Sequence, residues 1–369
     1  MALDTEFGAL FWVSPQTALF LCALEEELGE AEIIARLQQD LDLPRGEARN
    51  LYRKILEELS HIRHVNEAAR TAKQDVDHLC GARIAGRGVP TIHCCQVAML
   101  GMSVRVCLPT RSLLQSFLSV MGHTLTEACG PSDVVLRVVR DGNGYALIEG
   151  DTVTVERSSQ LSVVSDLKAA VCHAAVNAQR YDACVHAAVI GVDGGAVLIP
   201  AASGRGKTCL ALALAASGHT CLSDDLALVD LNDAALAVRG VPAASCVKSE
   251  AWGPLGVLHP ELKSAPIHKR ADGKTVKYLP IAAPSLEPVA VRAFVVPRFA
   301  EGASAQVVKL RPEVALEHVL SSVLAWRGKL APHSVEALIK GLDNAPAFAC
   351  TYDNPGAAVA LFEDIIGEL

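Results

Sequence analysis

Aromatic residues are scarce, at 4% of 369 positions. The interior must therefore be aliphatic and alanine-rich, and a hydrophobic content of 51% supplies it. Charge is also low, at 20%, and beside so much apolar content it excludes a disordered polymer. A basic surplus is missing: the net charge is −8. Nucleic acid, whose phosphates demand Lys and Arg, is not an expected partner. No apolar run reaches the roughly 20 residues that cross a bilayer, and no basic-then-apolar leader opens the chain. A cytoplasmic protein without a membrane partner is expected. There are 12 cysteines but no C-x-x-C pair. Most, such as Cys22, Cys172, Cys209 and Cys221, lie in apolar runs and read as reduced core residues. Zinc needs paired spacings, which His93, Cys94 and Cys95 do not provide.

What the chain does have is concentrated between Gly195 and Asp230. Ala196 to Ile199 is an apolar run that predicts a buried strand. A loop follows, Pro200 to Gly206. Lys207 and Thr208 then open an apolar helix, Cys209 to Ala216, with Gly218 at its C-terminal cap. Strand, glycine-rich loop, Gly-Lys-Thr and helix together predict a phosphate-binding loop of residues Ser203, Gly204, Arg205, Gly206, Lys207 and Thr208. Its N–H groups and the helix N-terminus would cradle phosphate oxygens. Lys207 would reach the outer phosphates and the Thr208 hydroxyl a magnesium ion. Ala201 stands where the pattern places its first Gly, which predicts a slightly reshaped loop.

A second strand ends at Asp224–Asp225, sixteen residues after Thr208. Neighbours on a strand point to opposite faces, but a twist at the strand end brings both to one site. One carboxylate would then support the metal and the other accept a proton from an attacking hydroxyl.

Three pieces of this region resemble the catalytic domain of the HPr kinase/phosphorylase family. They are Val185-His186-Ala187-Ala188, Ser203-Gly204-Arg205-Gly206-Lys207-Thr208 and Ser223-Asp224-Asp225. Val238-Arg239-Gly240 stands where that family has an Arg-Gly segment, without the acidic residue before the Arg. The resemblance spans about 160 to 365 and is closest to divergent relatives of the family. It implies an α/β fold of the phosphoenolpyruvate carboxykinase group and a kinase that uses ATP and Mg2+ on a Ser or Thr hydroxyl. It also implies Asp224 as the base, Asp225 as metal support (roles that can be exchanged), His186 near the transferred phosphate, and Arg239 toward the substrate.

The remaining sequence predicts four regions. Residues 1–62 carry a strand, Ala9 to Val13, and three amphipathic helices: one opened by Ser14-Pro15, one from Glu30 to Gln39, one opened by Pro44. This winged-helix-like module resembles PqqD-like domains that read leader peptides. Residues 63–90 are a Gly-rich linker. Residues 91–160 form a small α/β module with a hairpin through Asp141 to Gly144. Residues 161–369 form the kinase domain, in which Lys263 to Tyr278 reads as a basic loop. If residues 1–62 read a leader, the acceptor is a ribosomally made precursor peptide. A small-molecule kinase and a non-catalytic nucleotide-binding docking protein are the alternatives, and a homo-oligomer is left open.

Overall fold

A computed structural model describes residues 2–4, 9–11, 17, 20–21, 23, 28–41, 43–57, 93–126, 131–141, 143–150, 152–159, 161–202, 204–231, 236–280, 287–324 and 332–369. The chain divides into two compact units, Met1–Leu79 with Gly328–Pro332, and Cys80–Arg327 with His333–Leu369.

In the first unit, β1 (Ala2–Asp4) pairs antiparallel with β2 (Ala9–Phe11). Helices follow at Glu30–Leu41 and 45–57. Ile33, Ile34 and Leu37 recur at helical spacing and bury against Phe20, Ala23, Ala48 and Ile55. The expected cap at Ser14 and the expected linker at 63–90 lie outside the described residues.

The second unit opens with β3 (His93–Met99), β4 (Met102–Leu108), β5 (Val134–Asp141), β6 (Gly144–Glu149) and β7 (Thr152–Ser158), which form one sheet in that order. Helix Arg111–Met121 is capped by Thr110, whose hydroxyl accepts from the Leu113 N–H at 3.2 Å. Helix Val163–Ala178 comes next. One hydrophobic cluster joins Val106, Phe117 and Leu147 to Val171, Leu228 and Ala244, so residues 91–160 share a core with the helix and strands after them.

Six strands then build most of a second sheet: β8 (Ala183–Val185), β9 (Ala187–Val192), β10 (Gly195–Pro200), β11 (Thr220–Ser223), β12 (Ala227–Leu231) and β13 (Leu236–Gly240). β14 (Ser245–Lys248), β15 (His268–Lys269) and β16 (Thr275–Leu279) form a separate three-stranded sheet. β17 (Val289–Phe299), β18 (Gln306–Leu310), β19 (Val323–Leu324) and β20 (Ala347–Tyr352) complete the large sheet. Its order is β11-β9-β10-β17-β13-β12-β8-β19, with β20 beside β17 and β18 beside β20. β10 and β20 both run parallel to β17. Their carboxyl ends therefore open on one edge, where ligands of such sheets bind.

Two segments differ from expectation. Lys263 to Tyr278 is not a loop: Val276, Lys277, Tyr278 and Leu279 are buried in β16. Lys277 donates to the carbonyls of Leu262 and Lys263 at 2.8 and 3.1 Å, and its ammonium lies 4.9 Å from the Trp252 ring centroid. It ties β16 to the turn at Pro260–Lys263 and to helix Trp252–Leu258. The run from Glu313 to Trp326 reads in sequence as one helix, but the helix spans only Pro312–Leu320. Val323 and Leu324 are taken by pairing with β8, a tertiary contact that outweighs local preference.

Candidate active site

The predicted phosphate loop leaves β10 and turns into helix Lys207–Ala216. That helix is fixed from below: Leu210, Ala211 and Leu214 pack with Val197, Ile199, Val295, Phe348 and Phe362. Gly204 and Gly206 both adopt the left-handed region, at φ 91° and 93°. A Cβ on Gly206 would also lie 3.0 Å from the Tyr352 hydroxyl and 3.2 Å from the Phe299 Cβ. Ala201 is buried and does not have a positive φ, so its backbone needs no glycine. Gly206 gives the helix no side-chain cap, leaving first-turn N–H groups to face a ligand. Arg205 is exposed. Ser203 lies outside the described residues.

Lys207 turns inward and is only 5% exposed. Its ammonium donates to His186 Nε2 at 2.8 Å and lies 3.8 Å from Asp225 Oδ1. Burial brings it down to about 8, against the pull of both aspartates. His186 stands between β8 and β9, where its backbone N–H donates to the Ser322 carbonyl at 2.7 Å. Its Nδ1 is 3.0 Å from both the backbone oxygen and Oδ1 of Asp225. Two acceptors at Nδ1 and an ammonium at Nε2 assign the ring proton to Nδ1.

The turn after β11 sets the carboxylates. Ser223 Oγ accepts from the Asp225 N–H at 3.3 Å and the Leu226 N–H at 3.2 Å. This local turn sends the two side chains toward one site. Beneath it, a Cβ on Gly240 would fall 2.4 Å from the Leu222 carbonyl oxygen, so only glycine lets β13 pass. Asp224 is 2% exposed and accepts a hydrogen bond from the Thr208 hydroxyl. Burial and then the charge of Asp225 push its carboxyl up to about 6, against Lys168, Lys207 and Thr208. Asp225 behaves oppositely. Burial opposes its charge too, but the His186 hydrogen bond and the charges of Lys168 and Lys207 hold it well below the usual carboxylate range.

Lys207, Thr208, His186, Asp224 and Asp225 are thus brought together from three separate segments. Arg239 is not among them. Its Nε lies 3.3 Å from Asp230 Oδ2, and it donates to Gln179 Oε1 at 3.1 Å and the Arg180 carbonyl at 2.5 Å. It ties β13 to β12 and to the end of helix Val163–Ala178.

Sequence reading missed Lys168. It is 8% exposed on helix Val163–Ala178, with its ammonium 5.3 Å from the Tyr278 ring centroid. The Tyr278 hydroxyl donates to Ser165 Oγ at 3.0 Å. Lys168 sits four residues after buried Val164, three before Val171 and four before Cys172. A lysine on the apolar stripe of a helix was the available signal.

No protein-family profile matches this sequence, and no curated protein matches it. Among solved structures, the Hpr(Ser) kinase/phosphatase from Coxiella burnetii aligns at 13% identity, over 50% of this chain and 99% of that one, with a TM-score of 0.24. The N-terminal resemblance to PqqD-like domains finds no support in these comparisons. The chain is a mixed α/β protein with several sheets. Among the described residues, no helix is long and apolar enough to cross a membrane.

Proposed function

We propose that the protein is an ATP-dependent kinase that transfers the terminal phosphate to a Ser- or Thr-type hydroxyl. The observation that carries this reading is the convergence of Lys207, Thr208, His186, Asp224 and Asp225 beside a helix N-terminus that lacks a side-chain cap. The loop amides hold phosphate oxygens. Lys207, charged at neutral pH and anchored on His186, offsets charge that develops during transfer. Asp224, raised to about 6, is a base matched to neutral pH and takes the hydroxyl proton. His186 fixes Lys207 at one nitrogen and Asp225 at the other, which keeps the cation and the carboxylate in register.

Magnesium fits the oxygen donors here. The Thr208 hydroxyl already meets Asp224, and Asp225 adds a second carboxylate beside it. Among the described residues, no group of three or more His, Cys, Asp or Glu forms a metal site by itself. Thr208 and Asp225, with nucleotide phosphates, would hold the ion, which when bound neutralises charge on the phosphate oxygens. The acceptor in this reading is a peptide carrying Ser or Thr.

The test is turnover. Purified full-length protein with ATP, magnesium and Ser- or Thr-containing peptides should yield ADP and phosphopeptide, and Lys207→Ala protein should not. Tight nucleotide binding with no ADP across a broad hydroxyl panel would show a binding protein instead.

A further inference from the structure

A cavity of about 230 Å³ opens in the second unit and shares no lining residue with the candidate active site. Helix Arg111–Met121 supplies one wall, with Ser112 and Ser116 four residues apart on one face and Leu113 beside them. Val164 comes from the start of helix Val163–Ala178, and Ile267 and His268 from the segment that enters β15. These walls are tied to each other. The Lys269 N–H donates to the Leu161 carbonyl at 2.9 Å, which pins β15 to the residues that lead into helix Val163–Ala178. His268 pairs with Val276 of β16. The cavity is preformed, as small-molecule sites mostly are.

His268 is only 4% exposed, and its Nε2 is enclosed without a hydrogen-bond partner among the described residues. Its ring packs on Tyr278, with centroids 5.5 Å apart. A buried polar atom without a partner is costly. Burial also holds this imidazole below its usual range, so at neutral pH it is uncharged, with one nitrogen donating and the other accepting. Leu113 and Val164 add buried apolar surface, and Ile267, half-exposed, stands at the rim. A lone water at Nε2 would leave those apolar walls unfilled. Among the described residues, none that lines the cavity is charged at neutral pH, so an ionised ligand would be buried without a counter-charge. An apolar cavity of about 150 Å³ holds a benzene ring. This one is larger and has room for a ring with a substituent.

We propose that this cavity binds a small uncharged molecule with a ring-sized apolar body and one hydroxyl or amide group. The apolar part packs against Leu113 and Val164, and the polar group hydrogen-bonds to His268. The ligand thereby gives the imidazole the partner it lacks, while Ser116, half-buried, and Ser112, exposed, offer further hydroxyls. The site is independent of the kinase reading and adds a second ligand to the unit that holds Lys207.

The experiment titrates full-length protein, by calorimetry and saturation-transfer NMR, with three probes. They are p-cresol, toluene, which lacks the hydroxyl, and p-toluate, which carries a charge in its place. p-Cresol should bind, toluene should bind roughly fivefold or more weakly, the scale of one hydrogen bond, and p-toluate weakest of all. His268→Phe keeps a ring against Tyr278 and removes both nitrogens. It should melt no lower than the wild type and bind toluene at least as well as p-cresol, a reversal that a purely structural role for His268 would not produce. Ser116→Phe, at a half-buried position on the cavity wall, should fill the space and remove binding of both probes, which keeps the test open if His268→Phe folds poorly. Failure of the wild type to bind either p-cresol or toluene, or binding that Ser116→Phe leaves unchanged, overturns the site. Equal affinity of the wild type for p-cresol and toluene overturns the part given to His268. A preference for p-toluate overturns the uncharged ligand class and makes the cavity an anion site.

Discussion

In the kinase reading Lys207 meets two opposing demands, because phosphate binding would need its charge and burial works against it. Lys207→Ala should abolish phosphoryl transfer while circular dichroism stays unchanged, since the helix is held by Leu210, Ala211 and Leu214. Unchanged dichroism with retained activity would remove the phosphate-loop assignment. The two titrations predict a bell-shaped profile. kcat/KM should fall below about pH 6, where Asp224 is protonated, and above about pH 8, where Lys207 loses its proton. Asp224→Asn should abolish transfer and still bind nucleotide. It should also be more stable than the wild type at pH 8. The raised carboxyl means that the folded state holds this proton more tightly than the unfolded chain, so ionised Asp224 costs stability as pH rises from about 4 through about 6. The gain should be at most about 3 kcal/mol and vanish below about pH 4, readable from thermal melts at both pH values. Asp225, held low, contributes in the opposite sense: its stabilisation is present above about pH 4 and is lost as pH falls below that. Lys207, Thr208, Asp224 and Asp225 were readable because their chemistry is local, a spacing along one strand–loop–helix–strand run. His186 needed the family resemblance. Lys168 was unreadable because its carboxylate neighbours lie more than fifty residues away.

At the scale of elements, the glycines separate into those that need a conformation and those that need space. Gly204→Ala meets open space at φ 91° and should cost about 1 kcal/mol from backbone strain alone. Gly206→Ala adds contacts of 3.0 and 3.2 Å with Tyr352 and Phe299 to the same left-handed backbone, and should cost more and weaken nucleotide binding as the loop shifts. Gly240→Ala places a Cβ 2.4 Å from a backbone carbonyl, which cannot rotate away. It should be the most damaging of the three, by about 3 kcal/mol, and should move Asp224 and Asp225 through β11. Melts of the three variants should rank in that order, and Gly240→Ala melting like the wild type would refute the crossing at Leu222. The long apolar strands, the hairpin β5–β6 and the capped helix Pro355–Gly367, where Asn354 accepts from Ala357 at 2.9 Å, arise from sequence signals that act within a few residues. β15 and β19 have two residues each and exist only through pairing with β16 and β8, so no local pattern announces them.

At the scale of the whole molecule, each unit has its own hydrophobic cluster, one around Phe20, Ile33 and Leu37 and the larger around Val106, Val171 and Leu228. Units with separate cores can unfold separately. Calorimetry should therefore show two transitions, and a nucleotide analogue should raise only the one belonging to the unit that holds Lys207. At a hundredfold excess over the dissociation constant that unit gains about 2.7 kcal/mol. In the kinase reading, the first unit contributes binding and the second contributes chemistry. Deleting residues 1–62 should then leave phosphorylation of a short acceptor peptide nearly unchanged. It should raise KM for a long acceptor by tenfold or more, because docking one part of a substrate raises the effective concentration of the rest. The split between KM and kcat is the informative readout. Equal efficiency on long and short acceptors after the deletion would make the first unit structural, and a fall in kcat on both would place part of the chemistry in it.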